Sequence, residues 1–189
     1  MHPSPTDLLA LHAVRLKGFA DTGAVAARFG LDTAQTGEEL LDAEAYGWVT
    51  RSAFAGLAGW SLTEAGRRRN EAQLSEELEQ RASRTAVVAV HDAFVPLNEQ
   101  ATSAFTAWQL GTAGAVPGRF AALADALRPL EQRLTAQLAR FGGYHQRFAT
   151  ALAQAESNPA WITGMEVDSC HRVWFELHED LIASLGIAR

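Results

Sequence analysis

The chain has 189 residues, a formal net charge of −6 and one cysteine, Cys170. Its 48% hydrophobic and 20% charged residues exclude a disordered chain, and a single cysteine excludes an internal disulfide framework and a Cys-based zinc site. No apolar run has the length of a transmembrane helix, and MHPSPTDLL carries neither a basic region nor a long apolar run, so a cytoplasmic chain with no membrane partner is expected.

The charge is uneven. Residues 1–70 hold seven Arg/Lys and eight Asp/Glu, and the remainder holds nine and fourteen. A non-specific nucleic-acid binder is normally basic. The acid lies mainly beyond Asn70, which leaves the first part open to DNA. Alanine is abundant and isoleucine sparse, a composition that favours helix.

In chain order, the first helix spans about Thr6 to Lys17, with Leu8, Leu9, Leu11, Val14 and Leu16 as apolar positions. Asp21 or Thr22 caps a short second helix that Gly30 stops, glycine taking the left-handed conformation at low cost. Asp32 or Thr33 starts a third helix to Tyr46, and Gly47 ends it. Two short strands follow, Trp48–Arg51 and Gly59–Leu62, with Ser52–Ala58 as their connection. Thr63 caps a helical stretch that continues to Trp108, bending near Ala82–Thr85 and kinking at Pro96. Gly111–Gly118 reads as a loop. Arg119–Phe141 is a helix that Gly142-Gly143 breaks. Tyr144–Glu156 is another, and Asn158-Pro159 is a turn. Asp168 caps the last helix, Ser169–Leu185.

Helix, helix, tight turn, helix and two strands is the order of a winged helix-turn-helix, in which the third helix enters the major groove and the hairpin reaches the backbone. The fold expected is mainly α: a winged helix-turn-helix of three helices plus a β-hairpin over residues 1–72, then an all-helical domain over 73–189. Thr33, Gln35 and Thr36 are the candidates for base edges or phosphate. Arg28, Arg51 and the cluster Arg67, Arg68, Arg69 are candidates for neutralising phosphates of double-stranded DNA. Glu38, Glu39, Asp42 and Glu44 make the third helix acidic, and Phe54, Leu57 and Trp60 make the wing apolar. Both features fit a winged-helix module for protein contact without DNA binding.

GLDTAQTGEELLDAEAYGWVTRS resembles the MarR and PadR families of bacterial transcription regulators, through Leu31, Leu40 and the closing Gly47-Trp48-Val49. Trp60-Ser61-Leu62-Thr63-Glu64-Ala65-Gly66 is similar to the L-T-x-x-G that closes the wing in many such proteins. The resemblance covers about a third of the chain. It implies a DNA-binding transcription regulator whose helical domain forms a two-fold homodimer.

Two stretches of the second half carry polar residues in apolar stripes. Val87, His91, Phe94, Asn98, Ala101, Phe105 and Trp108 recur at steps of three and four, and His171, Trp174, His178, Leu181 and Leu185 share a face. If these helices pack, His91, Asn98, Trp108, His171, Trp174 and His178 meet. They then form a core of satisfied histidines, a candidate pocket for a small-molecule effector, or a metal site on His91, His171 and His178. Arg172, Glu176, Glu179 and Asp180 form the opposite flank of the last helix. No H-x-x-x-H or E-x-x-H spacing supports a metal, and no cofactor is expected. The absence of G-x-S-x-G, P-loop, G-x-G-x-x-G and paired-carboxylate signatures argues against an enzyme. Cys170 at a helix start reads either as a reactive thiol or as a small buried hydrophobe.

Overall fold

The computed structural model describes residues 2–54, 56–111 and 116–187. It is mainly helical and divides into two compact units. The first comprises residues 2–82 with 182–187, and the second residues 83–181. The division falls after Ala82, where the backbone turns through φ +50°, rather than after residue 72. The last residues of the final helix return to the first unit.

The first unit begins with α1 (Thr6–Lys17), α2 (Thr22–Phe29) and α3 (Thr33–Ala45). The caps are local. The Asp21 carboxylate accepts from Ala24 N at 2.8 Å, and Asp32 accepts from Gln35 N at 2.9 Å, satisfying donors that a helix start leaves open. Gly30, with φ +65°, ends α2 in the left-handed region, and three residues later α3 begins.

β1 (Val49–Phe54) and β2 (Leu57–Leu62) form one antiparallel pair, in which Val49 faces Leu62 and Phe54 faces Leu57. Pairing continues through Ser52–Gly59 and Ala53–Ala58, so much of the expected Ser52–Ala58 connection is strand. Small side chains there let the ladder extend. β2 also meets the α1–α2 turn. Ala20 and Trp60 exchange backbone hydrogen bonds of 3.2 and 2.8 Å, and a Cβ on Gly59 would lie 2.9 Å from the Ala20 carbonyl.

Thr63 closes the hairpin and opens α4 (Glu64–Gln80). Its hydroxyl accepts from Gly66 N at 3.0 Å and donates to the Gly47 carbonyl at 2.6 Å. Leu11, Val14, Val25, Leu40, Val49 and Trp60 form the shared core. A smaller cluster joins Leu8, Leu74 and Ala183.

The second unit holds α5 (Arg84–Gln109), α6 (Val116–Thr135), α7 (Tyr144–Gln154), α8 (Ala160–Thr163) and most of α9 (Cys170–Leu185). Pro96 lies within α5 without ending it. The expected 111–118 loop falls partly outside the described residues, and helix resumes at Val116. The expected 119–141 helix ends at Thr135, and a 3-10 turn, Ala139–Phe141, follows. Phe94, Phe120, Phe141, Tyr144 and Phe148 are fully buried in this unit.

Asp168 does not cap α9. Its carboxylate is held by Arg147, at 2.7 Å to Nε and 2.6 Å to Nη2, and the Ser169 hydroxyl takes the cap position instead. The supposed polar flank of α9 is largely buried as well. Asp180 accepts from Arg140 at 2.5 Å and from the Tyr144 hydroxyl at 2.8 Å, and Glu176 pairs with Arg147 at 2.7 Å. Arginines that arrive from other helices neutralise acids that would otherwise have to face water.

Candidate functional site

The expected DNA-facing residues fall into two groups. Thr33 and Gln35 are exposed on the first turn of α3. Arg51 is exposed on β1, with its guanidinium 5.5 Å from the Trp60 ring centre, and Arg67 and Arg68 are exposed on α4. Arg68 sits 3.3 Å from Glu64 one turn earlier, a weak surface pair.

The other three are turned inward. Thr36 is fully buried and its hydroxyl donates to the Asp32 carbonyl at 2.7 Å, so it secures the start of α3. Arg28 is 9% exposed, with its guanidinium 4.5 Å from the centre of the Phe29 ring. Arg69 is half-buried over Trp48 at 5.1 Å. None of these three is offered to a phosphate. Trp60, expected in an apolar wing, is 4% exposed and donates its indole N–H to the Thr22 hydroxyl at 3.0 Å. Leu57 is exposed, and the Phe54 side chain lies outside the described residues.

In the second unit four of the six expected pocket residues come together. Asn98, Thr102 and Phe105 of α5 and His171, Trp174 and His178 of α9 line an open cavity of about 300 Å³. The Trp174 indole N–H donates to Asn98 Oδ1 at 2.9 Å. Phe94 lies under this pair, 5.2 Å from Trp174 and 5.7 Å from His178, and Phe105 meets the His171 ring edge-on at 5.0 Å. Burial lowers the His171 pKa, which favours the neutral ring.

The other two lie outside this lining. His91 is half-buried, 3.8 Å from Asp92, and Trp108 packs its edge on Phe120 at 6.3 Å. The heptad step that put His91 in register with Asn98 carries it along α5 beyond the cavity. Among the described residues no three His, Cys, Asp or Glu side chains converge as metal ligands. Cys170 is fully buried, its thiol 3.8 Å from the Phe148 carbonyl, and burial pushes its pKa up to about 12. That environment suits an inert thiol rather than a reactive one.

A second cavity was not anticipated. In the first unit, Asp7, Glu39, Asp42, Trp48, Arg69 and Gln73 line a surface space of about 230 Å³. Its carboxylates come from Asp7 of α1 and from Glu39 and Asp42 of α3, more than thirty residues later in the chain, and the acidity of α3 alone does not signal a cavity. Comparison of the chain with family models, curated proteins and solved structures finds no match to any of them.

Proposed function

We propose that the chain is a winged-helix transcription regulator that binds double-stranded DNA through its first unit. The observation that carries this reading is the packing order of α1, α2, α3, β1 and β2, with an exposed α3 start and exposed Arg51, Arg67 and Arg68 beside it. The resemblance to MarR and PadR regulators in the same residues supports it. Thr33 and Gln35 are the residues for base or sugar-phosphate contact, and the three arginines neutralise phosphates. Regulators of this kind act as cytoplasmic homodimers. Val88 and Val95, exposed and seven residues apart on α5, offer an apolar seam for a second copy.

The test is fluorescence anisotropy of the full chain with the DNA upstream of its own coding sequence at low salt. Binding that weakens on replacing Arg51, Arg67 and Arg68 with alanine supports the reading, and binding indifferent to all three overturns it. A monomeric mass in light scattering removes the dimer.

A second reading concerns an effector. The cavity between α5 and α9 combines aromatic walls with Asn98, His171 and His178, and its lining residues include no acid, lysine or arginine, which suits an uncharged, hydrogen-bonding small molecule. Quenching of Trp174 by such compounds, lost on Asn98→Leu, tests it.

A further inference from the structure

We propose that the cavity between α5 and α9 takes a neutral aromatic carboxamide. This rests on the effector reading of that cavity and names the class of compound. The starting point is which hydrogen bonds its lining residues have left to make. An indole N–H can only donate, so the 2.9 Å bond from Trp174 fixes the Asn98 amide with Oδ1 toward the indole. Asn98 is left with Nδ2, which carries two N–H donors. Nδ2 has no acceptor among the described residues and is open to solvent rather than buried.

His171, on the opposite wall, offers one group of each kind. Its burial favours the neutral ring, which has one N–H and one bare nitrogen. Neither nitrogen has a hydrogen-bond partner among the described residues, and the ring is held instead by its edge-on contact with Phe105. Trp174 stands one turn from His171, about 4.5 Å along the axis of α9, so its bond to Asn98 brings the open groups within the span of a small ligand.

A carboxamide answers both residues. Its carbonyl oxygen accepts from Asn98 Nδ2, and its own N–H donates to the bare nitrogen of His171. A carboxylate supplies acceptors only and brings a charge that no lining lysine or arginine offsets, and an ammonium supplies donors only and leaves Asn98 unanswered. A metal ion does not fit the histidines, because His171 and His178 lie two turns apart, about 10 Å along the helix. The ring follows from the walls. Phe105 and Trp174 line the cavity, and so does Phe175, whose side chain is 47% exposed. A ligand ring laid there takes apolar surface out of water and finds aromatic faces and edges to pack on. The volume of about 300 Å³ is roughly ten times the liquid volume of one water, enough for a six-membered ring with its carboxamide.

The experiment is ligand-observed NMR titration of the full chain, at slightly alkaline pH, with benzamide, acetophenone and benzoate. The three share ring and size. Acetophenone keeps the carbonyl but carries a methyl in place of the amide nitrogen, and benzoate is charged. Saturable binding of benzamide is expected, about tenfold tighter than acetophenone and tighter still than benzoate, since one unmade hydrogen bond costs about that factor. His171→Phe keeps an aromatic ring beside Phe105 and removes both nitrogens, so it should bring benzamide and acetophenone to within about twofold of each other. Asn98→Asp keeps an acceptor for Trp174 and removes the donors, so it should weaken both carbonyl compounds by about tenfold. Urea midpoints show whether each variant is folded, and the three-ligand comparison on the parent chain needs no variant. Acetophenone or benzoate binding as tightly as benzamide overturns the carboxamide and leaves the effector reading standing. A preference for benzamide that survives His171→Phe in a folded chain overturns it too. If none of the three binds saturably at millimolar concentration the proposal falls, and Trp174 quenching by uncharged compounds of other classes then decides the effector reading separately.

Discussion

Replacing Gly66 with alanine is expected to destabilise the first unit by about 2–4 kcal/mol, although alanine is the better helix former. A Cβ built on Gly66 lies 1.8 Å from the Trp48 carbonyl oxygen and 2.7 Å from its carbon. Real Cβ atoms essentially never approach closer than 3.0 Å, so α4 and the Trp48 backbone must part by at least about 1.2 Å. The obstacle is backbone, and it is anchored. Thr63 N donates to Trp48 O at 3.0 Å, and the Thr63 hydroxyl holds the Gly47 carbonyl at 2.6 Å. Overpacking of this kind costs about 1–3 kcal/mol, the loosened hydrogen bonds add about 1 kcal/mol each, and the helix preference of alanine returns about 1 kcal/mol.

The control is the same substitution in α3. A Cβ on Gly37 meets only Thr22 Cγ2, at 3.7 Å, an ordinary contact. Gly37→Ala should therefore stabilise by about 0.5–1 kcal/mol through helix propensity and a stiffer unfolded chain. Urea denaturation followed by far-ultraviolet circular dichroism measures both. Equal shifts of the same sign, or a neutral Gly66→Ala, would refute the close-approach argument.

Four further outcomes are expected. In DNA binding, the slope of log affinity against log salt should fall by about 1 for each of Arg51, Arg67 and Arg68 that contacts a phosphate when replaced by alanine; Arg28→Ala should leave the slope alone and lower the melting temperature instead. Cys170 should resist iodoacetamide at mildly alkaline pH until denaturant is added, and rapid labelling of the folded chain would contradict its burial and raised pKa. His171 should titrate in NMR below the ordinary value of 6.5; an unfolded chain then binds its proton first, so this residue costs stability as pH falls below 6.5, and a midpoint at or above that value would contradict it. Asp180→Ala should cost about 3–5 kcal/mol in denaturation, because it removes the fully buried carboxylate that accepts from both Arg140 and the Tyr144 hydroxyl.

What could be read from the sequence was local. Asp21, Asp32 and Thr63 cap helices because a cap needs only its own backbone three residues on, and each bond is present. Gly66 in L-T-x-x-G owes its place to a backbone contact with Trp48, which the motif marks without explaining. Asn98, His171, Trp174 and His178 were found because heptad spacing fixes which side of a helix they share. What could not be read was long-range pairing. Asp168 looks like a cap until Arg147, 21 residues earlier, takes its carboxylate. Glu176 and Asp180 look solvated until Arg147 and Arg140 reach them. Burial lowers Arg147's hold on its proton, but its bonds and charge contacts with Asp168 and Glu176 outweigh that and raise its pKa. Arg28 and Thr36 have the chemistry of a DNA contact and the positions of packing residues, and periodicity over eight or thirteen residues does not separate the two.

The acidity of α3 divides on helical geometry. Thr36, Leu40 and Ala43 point inward. Glu39 and Asp42 lie on one flank, toward the cavity shared with α1 and α4. Residues 34, 38, 41 and 45 repeat at steps of three and four on the outward face, where Glu38 is the acid and Leu41 is 54% exposed. Of the carboxylates of this helix, Glu38 alone shares the outward row, while Glu44 is exposed on the flank away from the cavity; in the proposed complex Glu38 is the one that a duplex would meet head-on. Glu38→Ala should strengthen DNA binding, since removing a charge that faces phosphates relieves repulsion, whereas Glu39→Gln should leave it nearly unchanged. If the outward face of α3 instead receives a protein, Glu38→Ala will not alter DNA affinity, and Leu41→Asp will abolish partner binding without affecting the anisotropy with DNA. These two substitutions on one face separate the readings that the composition of α3 leaves side by side.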